Sequence, residues 1–304
     1  MSESKQAVAR DVALFVALTG GASALFGALI VRSGHMATGR WLYVRGAMWG
    51  PAIAVGILSL MRGRSFDKVG WKWSGPYELA AYGLSVGAVV LVYTLAWLGG
   101  FAGFPNARAV ASIANDFGWV GAPTPVIVVG YAVLMATLGL LPAIGSVLGE
   151  EIGWRGYLVP ELSRVFSFTQ TALISGVIWT AWHYPMIVLA DYNKGGPAWY
   201  SAICFTLFIM SASVICAWFR LKSGSIWPSV ILHATNNLLI QDVFTPLSVD
   251  TGPTKFVVDQ FGFLLPLAGI AVAVICWRRR GEVEQAQPAT GTTESAPGMV
   301  PVTS

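Results

Sequence analysis

The sequence predicts an all-α fold, a polytopic membrane helix bundle of about eight transmembrane helices. Three observations predict it. Of the 304 residues, 55% are hydrophobic and only 11% are charged, where soluble domains average roughly a quarter charged. The apolar residues come in blocks near the ~20 residues that a helix needs to cross a bilayer, not in the short alternating runs of a β-barrel. The basic residues fall between the blocks, which reads as membrane orientation and excludes a nucleic-acid surface.

The expected spans follow in order. Lys5 and Arg10 precede the first block in the manner of a signal peptide, but Val12–Val31 outruns the about 7–15 residues of a secretory apolar region. No small-residue cleavage site precedes Arg32, so the block is expected to be a retained anchor. Val44–Met61 is interrupted by Arg45 and Pro51, and Leu79–Leu98, Pro125–Leu148, Phe168–Leu189 and Ala198–Phe219 have full spanning length. Ile226–Ile240 is short, and Val257–Trp277 closes the bundle.

An even number of spans puts both termini on one side. That side gathers Lys5, Arg10, Arg62, Arg64, Lys68, Lys72, Arg155, Arg164, Arg220, Lys222 and Arg278 to Arg280. The other holds Arg32, Arg40, Arg45, Arg108, Lys194 and Lys255. The excess implies cytoplasmic termini in a multi-pass protein of the plasma membrane. Trp41, Trp97, Trp199, Trp218, Trp227 and Trp277 sit near span ends, where amphipathic rings belong. Cys204, Cys216 and Cys276 lie inside apolar blocks, which implies no disulfide framework. Residues 1–280 read as one domain, and 281–304, rich in Pro, Thr, Gly and Glu, as a disordered tail.

Chemistry concentrates between residues 149 and 240. Gly149-Glu150-Glu151-Ile152-Gly153-Trp154-Arg155 ends a long apolar block. On a helix Glu151 and Arg155 are i and i+4 and can pair, while Glu150 points about 100° away. One carboxylate is then neutralised and the other is free to act as a general base. The bland reading is a helix end whose charges snorkel to the interface. His183, one turn after Trp179, lies inside its block, with Pro185 just beyond as a source of a kink. His233 and Asn237 are again i and i+4, and an imidazole and a carboxamide on one face can donate to an oxyanion. For both histidines the bland reading is a polar seam between helices, with Asn236 part of it. His35, the third histidine, receives no role.

The order Glu-Glu-x-x-x-Arg, then aromatic-x-x-x-His, then His-x-x-x-Asn, each on an apolar segment, resembles the CPBP (CAAX protease and bacteriocin-processing, or Abi) family, which includes the Ras-converting CAAX proteases. The match is Glu150, Glu151 and Arg155; Trp179 and His183; His233 and Asn237. Trp179 departs from the phenylalanine usual there. The resemblance implies an intramembrane endopeptidase acting on a membrane-associated peptide or protein. Glu150 would activate water, His183 would help, His233 and Asn237 would stabilise the oxyanion, and Glu151 and Arg155 would organise the site. No metal is expected to be obligatory, although Glu150, His183 and His233 match a two-His, one-carboxylate zinc set. Two other functions compete: an ion- or proton-coupled transporter, for which no inverted repeat is visible, and a non-catalytic membrane immunity protein.

Overall fold

The computed structural model describes residues 3–33, 40–63, 65–190, 192 and 196–284. His35, Arg64, Lys194 and residues 285–304 lie outside the described residues. In a bilayer an apolar chain satisfies its backbone within a helix, and that is what the apolar blocks do. Helix α1 (Glu3–Ser33) packs along α2 (Arg45–Arg62), which is entered through a π-turn at Arg40–Val44. Helix α3 (Pro76–Leu98) leads to the short amphipathic α4 (Ala107–Asp116), whose N-terminus is capped by Asn106. Then come α5 (Thr124–Thr137), α6 (Leu140–Glu151), a π-helical stretch at Ile152–Leu158 and α7 (Val159–Ser163). Helix α8 (Phe168–Leu189) opens on a Ser167–Gln170 capping box and runs on through Pro185. Helix α9 (Ala198–Ser223) lies between α8 and α13 (Leu264–Arg278), which follows α10 (Trp227–Asn237), a second π stretch at Leu238–Phe244 and the one-turn helices α11 (Thr245–Leu247) and α12 (Thr254–Val257). Two antiparallel two-residue strands, Ala102–Gly103 and Val249–Asp250, tie the end of α3 to the segment after α11.

The protein is therefore an all-α polytopic membrane bundle. Among the described residues, five helices have spanning length and composition, and α5 with the α6–α7 run meets the same measure only as a pair bent by 44°. The expected span Pro125–Leu148 breaks here for a local reason. Pro142 has no N–H for the Leu138 carbonyl, and its ring crowds that carbonyl. The seventh expected span is a composite of α10, its π stretch and α11. The eighth begins later than its hydropathy suggests, at Leu264, and its 15 residues reach about 22 Å. Of the tail, Gly281–Glu284 forms a helical turn pinned by Arg279 and Lys222 on Glu282. The three cysteines are buried free thiols.

The core that supports the site joins α1, α2, α6 and α8 around Phe15, Val55, Trp154 and Trp179. Two glycines bring the motif-bearing helix close to α2. A Cβ on Gly149 would lie 2.7 Å from the Trp49 Cα, and one on Gly153 would run into the Pro51 ring. Both glycines flank the glutamate pair, so they let the motif-bearing helix press directly on α2. Gly153→Ala is expected to cost about 1–3 kcal/mol through overpacking, seen as a lowered unfolding midpoint in detergent; a midpoint equal to wild type would show that the helix–helix contact is looser than described.

Candidate active site

The glutamate pair does not sit at the end of a helical run. Helix α6 continues past it through the π stretch into α7, and the motif lies in mid-run, with Glu150 2%, Glu151 0% and Arg155 1% exposed. The charges therefore do not snorkel. They are dehydrated, and each must find its partners inside the protein.

Glu151 finds two. Its Oε1 accepts from Arg155 Nη1 at 2.9 Å, the pair expected from i and i+4 spacing, and from His233 Nδ1 at 2.8 Å. The Arg155 guanidinium also lies over the Trp179 ring, 4.1 Å from its centroid, a cation–π contact strengthened by dehydration. The Arg155 carbonyl accepts from Arg220 Nε at 2.7 Å. Arg220 was expected among the basic residues flanking the spans; instead it is buried, and it completes the backbone of the π stretch.

Glu150 faces the other way, as 3.6 residues per turn requires. Its Oε2 accepts the Trp179 indole N–H at 2.8 Å and the Trp154 indole N–H at 3.4 Å. Trp154 is i+4 from Glu150, so the spacing that pairs Glu151 with Arg155 was the available signal for this contact. The indole donor of Trp179 required knowing that α8 packs on α6, which no local pattern reveals.

The imidazoles approach from separate helices. His183 Nδ1 lies 2.9 Å from the Trp179 carbonyl oxygen. A carbonyl only accepts, so Nδ1 carries the hydrogen and Nε2 is left with its lone pair. The ring is wedged between Trp182 and Phe205, with centroids at 4.7 and 4.9 Å. His233 packs edge-on against Trp179 at 5.3 Å. Trp179 therefore touches Glu150, Arg155, His183 and His233 at once.

One cavity of about 1500 Å³ is lined by Glu150, His183, His233, Asn236 and Asn237. Glu151 and Arg155 are not among its lining residues; they stand behind the wall. Asn237 meets the cavity beside Gln241, whose Nε2 donates to it at 3.5 Å. The Asn236 Oδ1 accepts from Ser85 Oγ on α3 at 2.6 Å, so the polar seam expected for Asn236 exists. The zinc set allowed by the sequence is not assembled. Among the described residues no three His, Cys, Asp or Glu side chains come together in a group able to hold a metal ion, and Glu150 is engaged by two indole donors. As placed, Glu150, His183 and His233 do not fit a metal.

The family model for Type II CAAX prenyl endopeptidase Rce1-like proteins matches residues 131–239, a segment that includes every motif residue from Glu150 to Asn237. A relative named CAAX prenyl protease 2, from Methanococcus maripaludis, is 32% identical over 96 residues. That alignment covers 29% of this chain and 34% of the relative, about a third of its length. The CAAX-protease resemblance read from the motifs is thus borne out over the segment that carries them.

The Glu151–Arg155 pair gives a sharp expectation for stability. Arg155→Met strands a buried carboxylate and is expected to cost about 3–5 kcal/mol, read as loss of folded protein in a detergent unfolding assay. Adding Glu151→Gln to that variant removes the stranded charge and should restore much of the loss. Equal stability of Arg155→Met and wild type would contradict the pairing.

Proposed function

We propose that this chain, which carries an Rce1-like CAAX-protease segment, is an intramembrane endopeptidase that cleaves a membrane-associated protein or peptide. The single observation carrying the reading is the partition of the two adjacent glutamates. One is neutralised behind the wall by Arg155 and His233, and the other is presented to the cavity that both histidines line.

The chemistry follows from what each group has free. Glu150, held by two indole donors, takes a proton from a water bound between it and His183 Nε2. The water oxygen attacks the carbonyl carbon of the scissile amide, and the carbonyl oxygen becomes an oxyanion. In its doubly protonated form His233 donates through both nitrogens, Nδ1–H to Glu151 and Nε2–H to the oxyanion, and the Asn237 carboxamide donates beside it. The C–N bond then breaks, and the proton held by Glu150 passes to the departing amine nitrogen. Glu151 and Arg155 are positioning residues: they fix the His233 ring and take no part in bond making.

The apolar character of most of the cavity wall, with α1 and α8 lining it, supports a substrate that enters with lipid-soluble groups attached. The Methanococcus maripaludis relative, a CAAX prenyl protease by name, points the same way, toward a prenylated substrate. The basic-residue asymmetry supports cytoplasmic termini, and a plasma-membrane location accords with the chain's composition.

The test uses purified protein in lipid vesicles and an internally quenched peptide ending in S-farnesylcysteine and three further residues. Glu150→Gln is expected to lower kcat by about 10²–10⁴ without unfolding the protein, because the amide still accepts from both indoles. Undiminished cleavage in that variant would sink the proposed base.

A further inference from the structure

We propose that Gln260 is a substrate-binding residue whose carboxamide pairs with the backbone N–H and C=O of one residue of the peptide lying in the cavity. The inference rests on the protease reading above and names a contact that lies outside the matched segment 131–239.

Gln260 is 2% exposed, and among the described residues neither its Oε1 nor its Nε2 has a hydrogen-bond partner. It nevertheless lines the cavity that Glu150, His183 and His233 line. A buried carboxamide with both ends unpaired is costly anywhere and more so at membrane depth. The other cavity carboxamides differ: Asn236 is held by Ser85, and Asn237 and Gln241 meet each other. Among the described cavity carboxamides, Gln260 is the one buried with both of its ends unpaired.

The backbone holds it there deliberately. Asp259 has φ of +59°, the left-handed region that a non-glycine residue adopts at a cost. Its Oδ1 accepts the Phe261 N–H at 2.7 Å, and its carbonyl accepts the Gly262 N–H at 3.2 Å, closing a tight turn around Gln260. Phe261 then stacks on Phe205 at 5.4 Å and meets Tyr192 at 5.2 Å. Both of those rings flank His183. The turn is thus locked to the same aromatic group that wedges the His183 imidazole.

The unpaired atoms specify the ligand chemistry. Oε1 needs a donor and Nε2 an acceptor. A carboxylate satisfies only Nε2, and an isoprenoid chain satisfies neither. One residue of an extended peptide presents its own N–H and C=O to the same side, so an extended backbone passing Gln260 satisfies both. A peptide anchored there and at the oxyanion donors is held at two points, which fixes the register of the scissile bond.

Gln260→Met keeps length and removes both hydrogen-bonding atoms, and the full chain in lipid vesicles is assayed with the quenched farnesylated peptide. KM is expected to rise about tenfold with kcat within about twofold, the size of one good hydrogen-bonded pair. Binding is read separately as Kd for the same peptide in the Glu150→Gln background, where the same tenfold weakening is expected. A series of peptides N-methylated at successive amides should contain one that binds wild type about tenfold more weakly and Gln260→Met no more weakly than the parent peptide. Without peptide, Gln260→Met should unfold at a higher temperature than wild type, because a stranded carboxamide is gone; a residue with a purely structural role would lower it. Unchanged KM and Kd, no binding of the peptide at all, or a lowered midpoint with additive N-methyl effects overturns the inference. Binding without cleavage by wild type sinks the protease reading instead, and the Kd comparison still decides the role of Gln260.

Discussion

The arrangement depends on one constraint: a carboxylate buried at membrane depth must be neutralised by groups brought to it from other helices. Glu151 meets that requirement with Arg155 from its own run and His233 from α10. A buried pair of this kind gives little net stability over apolar residues of the same size, because dehydrating the charges offsets their attraction. What it gives is position. Once Glu151 is committed to His233, α10 has one azimuth relative to α6, and Asn237, one turn later, is carried to the cavity with it. The neighbouring Glu150 is turned to the cavity by helical geometry alone.

The two π stretches bear on the same problem. Each begins directly after a pair of site residues, at Ile152 after Glu150 and Glu151 and at Leu238 after His233 and Asn237. An i+5 ladder widens the helix locally and leaves carbonyls poorly aligned, so such stretches persist where surrounding contacts over-determine them. Arg220 on the Arg155 carbonyl is one such contact, and Gly153 against Pro51 is another. At Ile152–Leu158 and Leu238–Phe244 the irregular backbone lines or backs the cavity, where a bilayer protein tolerates it.

Much of this was legible in the residues. The all-α class, the bounds of α8, the Glu151–Arg155 pair and the facing of His233 with Asn237 all follow from periods of 3.6 and spans near ~20 residues. Hydropathy could not see that Pro142 divides the fourth span, since proline and glycine leave an apolar average almost unchanged. It also placed Glu150 at an edge, because the π stretch Ile152–Leu158 carries a charge and ends the apolar window while the helix itself goes on. The partners of Glu150, Asn236 and Arg155 across helices were invisible for a deeper reason: Trp179, Ser85 and Arg220 reach them through the order in which helices pack, and single-chain periodicity holds no information on that order.

Trp179 shows how far a departure from a family pattern can reach. Phenylalanine supplies the aromatic wall against which His233 and Arg155 lie, but it has no hydrogen to donate. The indole N–H gives Glu150 its shorter bond, 2.8 Å against 3.4 Å from Trp154. With only the longer contact, the carboxylate would be less firmly aimed, and at a site where a misplacement of about 1 Å can cost a hundredfold, aim is what matters. The backbone carbonyl of the same residue accepts from His183 Nδ1 and so selects the tautomer whose Nε2 is an acceptor, as the carbonyl of any residue there would. Glu150, both imidazoles and the Arg155 guanidinium are thus all referred to one rigid residue. It follows that α8, which contributes one ionisable group of its own, touches three more through Trp179, and that a change in how α8 packs on α6 would be felt at Glu150, Arg155 and His233 together.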